Sequence, residues 1–402
     1  MSEILCELVR VAEKAAEIAR ACRLEDPLFQ LLIEEKKAGA GKKSSYVRDF
    51  KTLADVLIQE VIKRDLGKKF PGLVCNIFGE EANQFTNEMG DVITVTVCPT
   101  EEETADLLTQ VLNGKEVAAE VLARVVHQDI PVTDPVLDAV KLDIPPDSLG
   151  IWVDPIDSTH QYIKGCADSV PIHGIYSHGL QCVTVLIGVF ELSTGIPVMG
   201  VINQPFASHD PKSSRWEGEY CWGISYKGTK FFSSQLSASD EHEEESICYI
   251  RRHPDSGEIQ YECQDFSVVT GSNESEKLRS VLSDLCGEKL HFSAGAGYMN
   301  LCAVLGLVDI CLITADNTFK WDSCAPHAIL MALGGGVVNW EDCLKRIKKG
   351  ETKLEMPYLV YNVQDAENHG ASKWANKGGL LAFRNKEHLE VFLSLVSEKL
   401  DQ

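Results

Sequence analysis

The eight residues Trp152-Val153-Asp154-Pro155-Ile156-Asp157-Ser158-Thr159 constrain this chain more than any other stretch of its 402 residues. An apolar run reads as a strand. It delivers two carboxylates three residues apart across a proline, with Ser-Thr where a helix can start. Proline sets a turn in which Asp154, Asp157 and the Ile156 carbonyl converge. Hard divalent cations such as Mg2+ take that set of oxygen ligands. The backbone N–H groups of Ser158 and Thr159 then face outward toward a phosphate. The competing reading makes Asp157 only the N-cap of the next helix.

Two further carboxylates stand at the ends of elements. Gly79-Glu80-Glu81 closes a strand expected over 73–78, and Trp321-Asp322-Ser323 opens a helix expected over 324–333. Either acid alone could simply cap a helix. Together with Asp154 and Asp157 they make four like charges, which repel by on the order of several kcal/mol at low effective dielectric unless a cation neutralises them. Asp55 lies in the first turn of a helix expected to begin near Thr52, at the positive end of its dipole.

The charge balance supports a cation-dependent site. With 38 basic and 60 acidic residues the net charge is −22, so nucleic acids and anionic membranes are repelled. An anionic substrate would need a metal ion to approach. The hydrophobic fraction of 44% is ample for a packed core, in two or three units or one multilayer α/β unit. The 14 cysteines are scattered without a CxxC pair or zinc spacing. They read as free thiols in a reducing compartment, so a cytoplasmic and possible nuclear location is expected. The longest apolar run, 182–190, is too short to span a bilayer, and acidic residues break the N-terminal apolar pattern of a signal peptide.

Periodicity places a first amphipathic helix with Ile4, Leu8, Val11, Ala15, Ile18 and Cys22 on one face. Residues 82–150 read as an insertion, with a capping box between Thr100 and Glu103. Its acidic segment is either a solvated face or a partner-binding surface. Strands are expected at 151–153, 181–190 and 196–204, and an acidic loop at 240–246 divides the halves. Beyond it, strands at 267–270, 308–314, 336–339 and 379–383 alternate with helices at 275–286, 299–306, 324–333 and 386–400. The expected division is 1–205, carrying most metal ligands, and 206–402, carrying substrate contacts and Asp322, with the site between. Gly39-Ala40-Gly41-Lys42-Lys43-Ser44 fails as a P-loop, because Lys36 and Lys43 occupy places that need Gly and Ser or Thr. Gly295-Ala296-Gly297 lacks the third glycine of a dinucleotide fingerprint, Asn300 standing there. The 11 histidines show no ligand spacing and none is assigned to catalysis.

Gly-Glu-Glu, Trp-Val-Asp-Pro-Ile-Asp-Ser-Thr and Lys-Trp-Asp-Ser-Cys-Ala together form a three-part signature. It resembles that of the lithium-sensitive, magnesium-dependent phosphatases, which include inositol monophosphatase, fructose bisphosphatase and bisphosphate nucleotidase. The likeness extends over nearly the whole chain. It includes 50–55, Gly188 with 199–205, 295–298 and 374–379, and it is nearest to the members that act on inositol polyphosphates.

The resemblance implies a layered α-β-α-β-α sandwich and two or three Mg2+ ions, with Li+ as inhibitor. Glu80, Asp154 and the Ile156 carbonyl would hold one ion, and Asp154, Asp157 and Asp322 a second; Asp55 also belongs to the implied metal set. Thr159, hydrogen-bonded to Asp55, would activate water, making Asp55, Glu80 and Thr159 the catalytic set. Asp157, Ser158, Thr159, Ser272, Gly295, Ala296 and Thr318 would contact substrate. The implied reaction removes the 1-phosphate of inositol 1,4-bisphosphate and inositol 1,3,4-trisphosphate, in a monomer with no nucleic-acid or membrane partner. Alternatives are a 3′(2′),5′-bisphosphate nucleotidase, an inositol monophosphatase-like enzyme, and a non-catalytic Mg2+- or inositol-phosphate-binding protein. The chain departs from the pattern at Met299, where a lysine is usual, at Ala315, where a glutamate is usual, and at Ser275, another basic position. The departures put substrate choice in question and leave the metal centre intact.

Overall fold

The structure, a computed structural model, describes residues 3–24, 29, 32–36, 50–210, 212–213, 215–236, 250–252, 259–261, 266–349 and 356–401. Two sheets dominate it. The first has six strands in the spatial order Thr229–Phe232, Arg215–Tyr226, Pro197–Asp210, Thr184–Glu191, Leu149–Asp157 and Ile77–Gly79. All neighbours are antiparallel except the last pair. The second runs Leu290–Phe292, Val268–Thr270, Ile310–Ile313, Leu380–Phe383 and Gly336–Asn339. Its first three strands are parallel and the other pairings antiparallel.

Every residue of Leu149–Asp157 is buried, as a strand covered on both faces requires. One cover is the helix pair Glu3–Leu24 and Leu53–Lys69; the other is a middle layer of Ala296–Val304 and Lys320–Leu333, which also meets the second sheet. Glu276–Cys286, Trp340–Lys348 and Lys386–Asp401 close the far side. The result is the α-β-α-β-α sandwich, with the buried apolar side chains gathered in three clusters.

A row of glycines lets the middle layer approach the first sheet. Gly188 pairs with Gly200, and Gly200 with Gly223, on three adjacent strands. A Cβ on Gly188 would lie 2.5 Å from Ala325 N, one on Gly200 2.1 Å from Ala325 O, and one on Gly223 2.8 Å from Ile329 Cα. Any side chain there would collide with the backbone of Lys320–Leu333, so the helix lies in a trench of absent side chains.

The expected capping box of Thr100 with Glu103 forms, and the helix expected near Thr52 is capped there, in a second box with Asp55. The insertion folds into the hairpin Gln84–Thr86 with Val92–Thr94, then the helices Glu101–Val111, Glu116–His127 and Pro135–Ala139. The two later helices pack on Glu3–Leu24.

Three expectations are corrected. The strand expected over 73–78 is mostly the 3-10 helix Pro71–Asn76, where proline opens the turn and only Leu73 is buried; the strand itself is Ile77–Gly79. The helix expected from 324 begins at Lys320, so Asp322 lies inside its first turn. A division at 205/206 would cut the strand Pro197–Asp210, and the first sheet continues to Phe232. The 240–246 loop and the P-loop-like 39–44 stretch lie outside the described residues. The 12 described cysteines are all free, and among the described residues no helix is long and apolar enough to cross a membrane.

Candidate metal centre

In a regular strand, residues three apart point to opposite faces. Asp154 and Asp157 escape this because the strand is bulged between them. Asp154 pairs with Leu186 and Asp157 with Thr184, so three steps on one strand face two on the other. The extra residue returns both carboxylates to one side. Pro155, with no N–H to withhold from the ladder, suits the interruption. The turn expected from the sequence is thus a bulge inside a continuous strand.

Asp322 arrives from the middle layer. Its carboxylate reaches back to the Phe319 N–H at 2.5 Å, which fixes it at the helix start. Asn376 secures the same turn, donating to Phe319 O at 2.8 Å and to Ser323 Oγ at 3.1 Å. Asp154, Asp157 and Asp322, exposed by only 1%, 6% and 3%, bring one carboxylate oxygen each within 4.8 Å of one another. At that spacing each pair of charges repels by about 3 kcal/mol at an effective dielectric near 20. An all-carboxylate set so buried suits a hard oxygen-seeking cation, and the residues present fit the metal implied by the sequence.

Glu80 follows Ile77–Gly79, its N–H donating to Val153 O at 3.2 Å, and it lines the same cleft as the three aspartates. Lys36 pairs with Glu80 at 3.0 Å and also with Glu81. Gln59 takes the Glu81 N–H at 2.9 Å and donates to the Glu81 carbonyl, clamping the backbone beside Glu80. Burial pushes the Glu81 carboxyl up to about 7, against the pull of Lys36 and with Glu80 and Asp55 adding to the rise.

The expected Thr159–Asp55 hydrogen bond is not formed. Asp55 Oδ2 accepts from Thr52 N at 2.7 Å and Thr52 Oγ1 at 2.6 Å, while Thr159 Oγ1 donates to Ile156 O at 3.1 Å. Each side chain is satisfied by a partner three residues away, at its own helix start. Asp55 is 1% exposed and is not among the residues lining the cleft. Burial pushes its carboxyl up to about 6, with the Thr52 hydrogen bonds and Lys36 opposing and Glu80 reinforcing.

Asp157 is bound to the next layer as well. Its Oδ2 accepts from Gly297 N at 2.9 Å and from Thr184 Oγ1 at 3.4 Å. A Cβ on Gly297 would lie 2.3 Å from Thr184 Oγ1, so glycine is what allows the helix Ala296–Val304 to present its first turn here. Asp157 therefore meets the start of this helix and does not cap Thr159–Lys164, whose N-cap Ser158 is held left-handed at φ 69° with no side-chain bond.

The cleft above these carboxylates has a volume of about 980 Å³. Ile156, Ser158, Thr159, Ser272, Gly295, Ala296 and Thr318 line it, as do Met299 and Ala315. Ser275 lies elsewhere, capping Glu276–Cys286 through Leu278 N at 3.3 Å. Lys36, Gln59 and Thr184 around the carboxylates, and His160, Lys164 and His178 on the cleft wall, were not anticipated. Gln59 sits in an ordinary helical run and signals nothing locally. His160 and Lys164 carry a faint signal, standing four apart straight after the Asp-Ser-Thr motif.

The chain is similar to known proteins over its whole length. A family model described as "Inositol monophosphatase family" matches residues 1–388. The chain is 55% identical over 400 residues to inositol polyphosphate 1-phosphatase of Homo sapiens and 54% identical to that of Bos taurus, covering 100% of this chain and 98% of each relative. It is 26% identical to 3′(2′),5′-bisphosphate nucleotidase 1 of Homo sapiens over 82% of each chain. Among solved structures, the extragenic suppressor protein suhB from Bartonella henselae aligns over 100% of this chain and 99% of its own, with 15% identity and a TM-score of 0.47.

Proposed function

From the premise that this chain belongs to the inositol monophosphatase family and is a phosphoric monoester hydrolase, we propose that it removes the 1-phosphate of inositol 1,4-bisphosphate and inositol 1,3,4-trisphosphate in a Mg2+-dependent, Li+-sensitive reaction. The observation that carries the metal dependence is the convergence of Asp154, Asp157 and Asp322, from two layers, within 4.8 Å on the floor of the cleft. The substrate assignment rests on the relatives at 55% and 54% identity.

Asp154, Asp157, Asp322 and Glu80, with the Ile156 carbonyl, are the groups that would hold Mg2+. The ion would supply charge neutralisation for the phosphate and for the leaving oxygen. The protein's own part is positioning. The hydroxyl of Thr159, anchored on Ile156 O, lies on the cleft wall where it can orient the water that attacks phosphorus in line. Asp55 acts one step removed, holding the start of Leu53–Lys69 through Thr52. Ser158 and the first turn of Ala296–Val304 offer backbone N–H groups to phosphate oxygens. Thr318 is fixed beside them by Asn376. The reading is of a cytoplasmic monomer whose thiols stay reduced; burial raises the Cys182 and Cys221 thiols to about 12.

The test is phosphate release from inositol 1,4-bisphosphate, inositol 1-phosphate and adenosine 3′,5′-bisphosphate, with Mg2+, with and without Li+. Faster release from the inositol bisphosphate, suppressed by Li+, is expected. Faster release from the nucleotide reassigns the chain to nucleotidase chemistry. Mg2+ binding without turnover of any of the three makes it a binding protein.

A further inference from the structure

Glu80 stands where the first sheet runs out. Ile77–Gly79 is the last strand of that sheet, three residues long, and among the described residues its outer flank meets no strand. Its inner flank pairs with Leu149–Asp157, Gly79 opposite Val153. One more bond forms on that side, from Glu80 N to Val153 O at 3.2 Å. In an extended chain the next residue turns its N–H and its carbonyl the other way. Glu81 therefore offers a donor and an acceptor to the flank that has no strand.

Gln59 fills that place. It stands in the middle of the helix Leu53–Lys69, 0% exposed, in a run of apolar neighbours that includes Val56, Leu57, Ile58 and Ile62. Its Oε1 accepts from Glu81 N at 2.9 Å and its Nε2 donates to Glu81 O. A side-chain amide presents an N–H and a C=O side by side, as a peptide group does, so it acts as a strand neighbour one residue long. Gly79 makes room for it, since a Cβ there would lie 1.8 Å from Gln59 Oε1. An amide buried this deeply is costly unless both its ends are bonded, and here one peptide satisfies both.

The Glu80 carboxylate thus rises from backbone bound on both flanks, its own N–H to Val153 and the following residue to Gln59. Lys36, 3.0 Å from Glu80 and paired with Glu81 as well, steers the side chains, while Gln59 fixes the peptide that carries them. A metal ligand works when it is held within roughly 0.5 Å of its place, and groups one step from the ion set that precision. We infer that Gln59 is a positioning residue for the Glu80 carboxylate, aiming it at the cation of the cleft, although no residue of its helix lines the cleft. The assignment deepens the metal-dependent phosphatase reading and rests on it.

The test is calorimetric titration of the full chain with Mg2+, unsubstituted and as Gln59→Met, which keeps the reach of the side chain and loses both hydrogen bonds. Mg2+ affinity is expected to fall about tenfold in Gln59→Met. The Mg2+ concentration for half-maximal phosphate release from inositol 1,4-bisphosphate is expected to rise by the same factor. Gly79→Ala, which drives the amide away from the other side, is expected to give a matching loss. Unchanged Mg2+ affinity in Gln59→Met, with only the melting temperature of the metal-free protein lowered, overturns the assignment and leaves Gln59 a packing residue. Should both variants fail to fold, hydrogen exchange of the unsubstituted, metal-free protein decides. The Glu81 N–H is expected to be protected as strongly as the Glu80 N–H, and exchange of Glu81 at the rate of an open chain overturns the clamp. If the unsubstituted protein binds Mg2+ and hydrolyses no inositol phosphate, the phosphatase reading falls, and the calorimetric comparison still decides on Gln59.

Discussion

The two sheets contribute to the cleft in opposite ways. The first sheet brings charge: a bulge turns Asp154 and Asp157 to one side, and the end of a neighbouring strand presents Glu80. The second brings shape, through Gly271, Ser272, Ile313 and Ala315 at its strand ends and with few charges. The middle layer mediates, supplying Asp322 to the first and Met299 to the second. Chemistry and choice of substrate are thereby separated in space. Substitutions on the first side should strike turnover, and those on the second should strike discrimination.

The sharpest attack on that contrast is Asp154→Asn, which removes charge from the nest and should lower kcat by at least about 10²-fold with weakened Mg2+ binding. Calorimetry with near-normal Mg2+ affinity would remove Asp154 from the centre. Next comes Gly200→Ala, whose Cβ would lie 2.1 Å from Ala325 O. Lifting the helix should cost about 1–3 kcal/mol of stability and pull Asp322 from its partners. A loss of melting temperature without loss of Mg2+ affinity would mean that the trench serves packing alone.

Thr159→Ala should lower kcat by about tenfold or more at near-constant Mg2+ affinity; an unchanged rate dismisses its hydroxyl from water orientation. The smallest effect belongs to the second side of the cleft. Met299→Lys should lower KM for a bisphosphate by about threefold, and by less for a monophosphate. An equal change for both substrates takes position 299 out of reach of the second phosphate.

What could be read from the sequence follows from the range of the forces involved. Capping at Thr52 and Thr100, and the helix over Ile4 to Cys22, depend on neighbours a few residues away, and they formed as expected. The clustering of Asp154, Asp157 and Asp322 was legible because buried carboxylates gathered at the ends of apolar elements are costly without a purpose. The bulge that aligns them was not, since it is a property of two strands and not of one. The Thr159–Asp55 bond failed for the complementary reason: each group found a local partner that proximity in sequence favoured. Gln59 stayed hidden because an ordinary glutamine gains meaning only once a strand end arrives beside its helix. The trench of Gly188, Gly200 and Gly223 could not be seen as a row until the register of three strands was known.

Because its three acids come from a strand and from a helix lying across it, the nest is also a seam. Left open, it pushes the two layers apart; closed by an ion, it stitches them together. An ion at a free concentration about one hundred times its dissociation constant adds about 2.7 kcal/mol to the folded state. The heat needed to melt this protein is therefore a gauge of the ion in its seam, legible with no substrate in the tube.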